Sequence, residues 1–217
     1  AATTSDPRLV QAWLSLSEVY EWRGSLSEAD MALENAAEAD PFALADEDLL
    51  VRAYRIAINR LDLDKARDRC TAGQLYEHPS LRECELNLLA HTGESEEDVQ
   101  RAWTELARLD SLAPTQQWSA QRRFFVAAVL ARAGRPDSAV NVMHRARERV
   151  ADENELANLM MMEAWVRTLI GDLDGAVELL DRYLRQMPAE LDKVAGHSWF
   201  RALHDHPGFR ALVDTLQ

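Results

Sequence analysis

The side chains that could do chemistry fall into a few groups. Cys70, His78 and Cys84 lie close in sequence. A zinc site needs four ligands, usually supplied through a CxxC or HxxxH pair, and neither spacing occurs here. His197, His204 and His206 gather near the C-terminal end beside Asp205, a set with acid–base or metal-binding chemistry. Asp205-His206-Pro207, however, has the form of a helix start. Two acidic runs, Glu94-Ser95-Glu96-Glu97-Asp98 and Asp152-Glu153-Asn154-Glu155, hold enough carboxylates for a paired acid–base site. Such a site needs a cleft and a raised pKa. Both runs sit at expected helix starts, where negative charge complements the helix dipole. The Met160-Met161-Met162 run reads as packing filler. There is no glycine-rich phosphate loop, no nucleophile elbow and no triad signature. The expectation is a chain without catalytic residues, cofactor or metal.

Composition narrows the class. The chain has 217 residues, of which 47% are hydrophobic and 28% charged, with only eight glycines. That supplies a sizeable core, and the dominance of helix formers points to an all-α fold. The formal net charge is −13. Affinity for nucleic acid rests largely on Lys and Arg neutralising phosphates, so no nucleic-acid partner is expected. The two cysteines make no disulfide framework. Cys70 falls at a core position as a small apolar residue, and Cys84 reads the same way or as half-exposed. No apolar run is long enough to span a bilayer, so a soluble protein, cytoplasmic or periplasmic, is expected without direct membrane insertion. The start, AATTSDP, reads as a mature end left by cleavage or as a boundary within a longer chain. Asp6 and Pro7 suit the start of a first helix.

The elements that position these side chains follow a period. Trp13, Leu16 and Tyr20 line one helix face at i, i+3 and i+7. Gly24 ends that helix where a left-handed residue is needed. Ser25-Leu26-Ser27-Glu28 reads as a capping box for the next helix, and Pro41 stops it. The turn and its following alanine recur as GSLSEA at 24–29, LDLDKA at 61–66, GRPDSA at 134–139 and GDLDGA at 171–176, with a weaker copy, SEEDVQRA, ending at Ala102. Ala29, Ala66, Ala102, Ala139 and Ala176 are therefore spaced 37, 36, 37 and 37 residues apart. Pro41, Pro79, Pro114 and Pro188 follow at +12 or +13, and Ala151 stands where the fourth repeat lacks its proline. Leu61 takes the place of the turn glycine in the second repeat. In the third, His91-Thr92-Gly93-Glu94-Ser95 breaks the first helix early, and Ser95 to Asp98 forms the next cap.

This pattern resembles the tetratricopeptide repeat, two antiparallel helices joined by a tight turn. Counted from Trp13, it has Leu16 at +3, Tyr20 at +7, Gly24 at +11, Ala29 at +16, Leu33 at +20, Ala36 at +23 and Pro41 at +28. Ser17 at +4 is a mild departure. The resemblance implies a right-handed α-α superhelix, one domain over 1–217. Its repeats span about 10–43, 47–80, 81–115, 117–151 and 153–189, with a C-terminal capping unit at 190–217. Leu203, Asp205, Pro207, Phe209 and Leu212 resemble the closing motif of tetratricopeptide regions in bacterial signalling proteins, serine/threonine kinases among them. That implies a C-terminal module of a larger protein. Trp199, Phe200, Phe209 and Leu212 are expected to pack around Leu180 and Tyr183, because a terminal unit must cover the last apolar face.

In this family the first helices line a concave groove that binds a peptide or helix. Carried across by position, the groove residues are Leu14, Trp22, Val51, Arg55, Ile58, Phe124, Arg132, Met161, Trp165 and Leu169, the third repeat being left out because its register is unsafe. Trp22 and Trp165 are the expected anchors, with Arg55 and Arg132 as polar contacts. The carboxylate clamp of chaperone-tail binders is absent, since Leu14 and Glu18 stand where it needs lysine and asparagine. The resemblance thus implies a scaffold or adaptor with a protein or peptide partner. The alternatives are a regulatory or ligand-sensing domain touching other domains of its parent chain, and a self-associating structural subunit.

Overall fold

Left-handed residues set the helix boundaries. In the computed structural model, Gly24, Leu61, Gly134 and Gly171 have φ of 70°, 60°, 72° and 85°. Each closes a helix with the same two hydrogen bonds. The amide after the left-handed residue donates five residues back: Ser25 to Tyr20 at 2.9 Å, Asp62 to Ala57 at 3.0 Å, Arg135 to Leu130 at 2.9 Å and Asp172 to Arg167 at 2.9 Å. The left-handed residue's own amide donates three residues back: Gly24 to Glu21, Leu61 to Ile58, Gly134 to Ala131 and Gly171 to Thr168, at 3.0–3.2 Å. Leu61 holds a conformation that costs an ordinary L-residue roughly 1–2 kcal/mol.

The structure describes residues 10–40, 46–74, 76, 78–112, 116–150 and 153–216, and among these it is all-helical, with no strand. The expected roles of Asp6, Pro7, Pro41, Pro114, Ala151 and Asp152 lie outside the described residues. The helices are α1 (Val10–Trp22), α2 (Leu26–Ala39), α3 (Glu47–Asn59), α4 (Leu63–Gly73), α5 (Pro79–Arg82), α6 (Cys84–Thr92), α7 (Glu96–Leu112), α8 (Gln116–Arg132), α9 (Pro136–Arg147), α10 (Glu153–Ile170), α11 (Leu173–Gln186), α12 (Leu191–Gly196) and α13 (Pro207–Leu216). Short 3-10 turns occupy Pro188–Glu190 and Ser198–Leu203. By internal contacts the chain divides into two units, 1–82 with 196–198, and 83–195 with 199–217.

In the first unit α1 packs on α2, α2 on α3 and α3 on α4. Leu14, Ala29, Leu33, Ala36, Ala53 and Ile56 form a core, with Trp13, Tyr20 and Leu49 packed against it. The nearly buried Asp30 carboxylate bridges repeats by pairing with Arg60 and with Lys65 at 2.8 Å. At the end of α4, Gly73 lies so close to Leu81 that a Cβ would meet its Cδ2 at 2.7 Å, which requires glycine. The hydroxyl of Ser25 makes no capping bond, so the expected box there is not formed. Asp46 and Asp62 do cap, accepting from the amides of Leu49 and Lys65.

In the second unit α8 packs on α6, α7, α9 and α10, and α11 packs on α10 and α13. Ala102, Ala139 and Ala176 are 0% exposed within its core, as Ala29 and Ala66 are in the first unit. The third pair is irregular, as expected. Its first helix is broken at Glu83 into α5 and α6, and α6 ends at Thr92. Ser95 and Asp98 then form a reciprocal cap: the Asp98 amide donates to Ser95 Oγ at 3.1 Å and the Ser95 amide to Asp98 Oδ2 at 3.1 Å. These donors hold the Asp98 carboxyl below the usual carboxylate range, the Ser95 hydroxyl contributing most. Phe200, Leu203, Phe209 and Leu212 enter the same core cluster as Leu180 and Tyr183, so the tail closes this unit as the sequence leads one to expect.

Charge also enters this core. Arg122 is 1% exposed, donating to Glu83 at 3.3 Å and to the Leu109 carbonyl at 3.2 Å. Burial pushes the Glu83 carboxyl up to about 7, against the pull of the Arg122 guanidinium. Glu163, 4% exposed, accepts from Arg147 at 2.8 Å and from Arg167 at 3.0 Å. Cys70 and Cys84 are buried as expected, but neither is a thiol: both are disulfide-bonded.

Candidate functional site

Two of the C-terminal histidines have partners within the fold. His206 Nε2 lies 3.2 Å from Asp174 Oδ1, and His204 stacks on Phe209 at 6.0 Å between ring centres. Among the described residues no group of three or more His, Cys, Asp or Glu side chains is arranged to hold a metal ion. An open cleft of about 360 Å³ between α6 and α7 is lined by Glu85, Leu89, Glu97, Gln100, Arg101, Thr104 and Glu105. Two of its charges are engaged: Arg108 grips Glu105 with Nη2 at 2.6 Å, and Arg101 pairs with Asp98.

The expected groove residues separate by environment. In the first unit Leu14, Val51 and Ile58 are buried, whereas Trp22 at the end of α1 is 81% exposed. A set of ion pairs joins α1 to α3. Arg55 Nε donates to Glu21 Oε1 at 2.7 Å, and Arg52 lies 3.7 Å from Glu18 and 3.8 Å from Glu21. Arg52 also donates to the Leu14 carbonyl at 3.4 Å. An exposed indole is a surface suited to a protein contact, because the ring gains most from being covered.

In the second unit Phe124, Met161 and Trp165 are buried and Leu169 is half-buried, so Phe124 and Trp165 spend their area inside the fold. Arg132 pairs with Glu94 at 2.6 Å. Trp165 is covered by two rings that the expected groove set omits. His91 of α6 stacks on it at 4.9 Å, and Trp199 of the tail lies parallel to it, 4.4 Å away at an interplanar angle of 7°. Trp199 Nε1–H donates to His91 Nε2 at 3.4 Å. Thr168 Oγ1, which donates to the Trp165 carbonyl at 2.5 Å, sits 3.4 Å from the Trp199 carbonyl. Burial first, and then the Arg132 cation, lowers the His91 pKa to about 4, so the imidazole is neutral and presents an acceptor.

Period would have found His91. Counting back 37 residues from Trp165 gives Ala128, and 37 more gives His91. All three occupy one repeat position on α10, α8 and α6. Ala128, 0% exposed, is the small residue in that column. No signal in the sequence pointed to Trp199 as the covering ring, since its neighbours Phe200 and Leu203 carry the same apolar character.

Among the described residues no helix is long and apolar enough to cross a membrane. No family model matches the chain, and no curated protein matches it.

Proposed function

We propose that the chain is a tetratricopeptide-like right-handed solenoid acting as a non-catalytic protein–protein interaction module, a scaffold or adaptor that binds a peptide or helix along its first-helix face. The observation that carries this reading is Trp22, 81% exposed on α1 and next in sequence to Glu21 of the Arg55–Glu21 pair. A large indole left in water at a position where the resemblance places partner contacts is a binding anchor. Supporting it are the four identical turns and the packing of α6, α8 and α10 against one another in sequence.

The test is selection of peptides from a displayed library on the purified chain, followed by calorimetric titration of the selected peptides. Trp22→Ala removes no buried group, so its fold is retained. The expected result is a loss of affinity of at least tenfold, about 1.4 kcal/mol, for Trp22→Ala, and a smaller loss with altered salt dependence for Arg55→Ala. Enrichment of no peptide, or equal binding by Trp22→Ala and the parent, overturns the reading.

A further inference from the structure

Trp199 sits in the turn that closes the second unit, edge-on to Phe200 at 6.5 Å between ring centres. Phe200 and Leu203 in that turn are 0% exposed and bound into the core with Phe209 and Leu212. Trp199 packs at the margin of that cluster. Its own ring is half-buried and lies on a surface made by residues far away in sequence. One contact is the face of the Trp165 indole at 4.4 Å. Another is His91 Nε2, held neutral and accepting the Trp199 indole N–H at 3.4 Å. A flat apolar floor with an acceptor at its edge has the complementarity of a tryptophan side chain, which is an aromatic plate with a single N–H. Phenylalanine would fill the floor and leave the acceptor unused. A charged side chain would lose its hydration without a partner.

We propose that Trp165 and His91 form a tryptophan-binding slot, that Trp199 occupies it as a ligand carried by the chain itself, and that a partner segment presenting an exposed tryptophan competes for the same place. The tail is then an autoinhibitory contact as well as a cap. The competing partner rests on the interaction-module reading above, whereas the slot itself does not.

Trp199→Ala in the full chain empties the slot, and far-ultraviolet circular dichroism checks that the helices are retained. The probes are N-acetyltryptophanamide and N-acetylphenylalaninamide, followed by calorimetry and by ligand-observed NMR. Trp199→Ala is expected to bind the tryptophan probe saturably, at least tenfold tighter than the parent, and to favour it over the phenylalanine probe. Adding His91→Phe, which removes the acceptor and keeps a ring, is expected to abolish that preference. Trp199→Ala with native helicity and no saturable binding overturns the proposal, as does equal binding by the parent. Should Trp199→Ala lose its helicity, Trp199→Phe serves in its place: it keeps a stacked ring without the N–H. Tryptophan-probe binding above the parent's then supports the slot, and binding no stronger than the parent's refutes it. An empty result here with Trp22-dependent peptide binding intact removes the slot and leaves the interaction module standing. The converse pattern removes the module and leaves the slot.

Discussion

Acid should unfasten the ring cluster in the second unit through one proton. His91 carries a pKa lowered from 6.5 to about 4 because its imidazole is buried against Trp165 and Trp199 with the Arg132 cation nearby. Protonation would put a charge into that setting and turn the acceptor of the Trp199 N–H into a donor. The unfolded chain takes up the proton near 6.5 and the folded chain near 4, so between these values the unfolded state binds more protons. The contribution of His91 to stability is therefore complete above 6.5 and is lost as pH falls through about 4. The gap between those values is worth about 3 kcal/mol. Glu83 acts in the opposite sense: its carboxyl is raised to about 7, so its contribution is complete below 4.5 and is lost as pH rises through about 7. Urea denaturation of the parent and of His91→Gln over this range, compared as a difference, cancels Glu83 and isolates His91. The parent should lose about 3 kcal/mol relative to the variant on acidification, and NMR titration should place the His91 ring protons' midpoint near 4. Cation–π attraction to the two indoles opposes this, at about 0.5–2 kcal/mol. A measured pKa at or above 6.5, or parallel stability profiles, would show that this attraction outweighs burial and refute the reasoning.

Gly134→Ala should cost about 1 kcal/mol in urea denaturation, and Gly171→Ala the same. A Cβ at either place meets nothing within 4 Å, so the cost is the left-handed backbone alone, and a larger loss would show that the space is not open. Phe200→Ala removes a fully buried ring from the tail's anchorage and should cost about 3–5 kcal/mol. An unchanged melting temperature would show that the tail does not cap the second unit.

The helix pairs could be read from the chain because their determinants are local. A left-handed residue at 24, 134 or 171 needs glycine, and glycine is there to be seen. Leu61 was placed by period, and its φ of 60° shows that backbone geometry persists where the residue type departs from it. The boundary of α6 was visible in Gly93, where a Cβ would meet the Leu89 carbonyl at 2.9 Å. What the sequence hid is non-local. Arg122, Glu83 and Glu163 have the character of surface residues and are buried because their partners stand 13–39 residues away. The oxidised state of Cys70 and Cys84 is likewise not revealed by the count of two cysteines. Trp165 was read from its position as open to a partner, and it is buried because a tail residue lies on it.

The five fully buried alanines have a consequence for how this chain tolerates change. At each of them a larger side chain must push two helices apart, at about 1–3 kcal/mol. Glycine there would weaken the helix by about 1 kcal/mol, and serine would bring in a hydroxyl with little choice of partner. The permitted alphabet at Ala29, Ala66, Ala102, Ala139 and Ala176 is thus close to a single letter. The architecture is specified by a sparse code, one obligatory small residue per repeat with a left-handed turn before most of them. Nearly all the remaining surface is left free to be rewritten for a new partner without disturbing the scaffold.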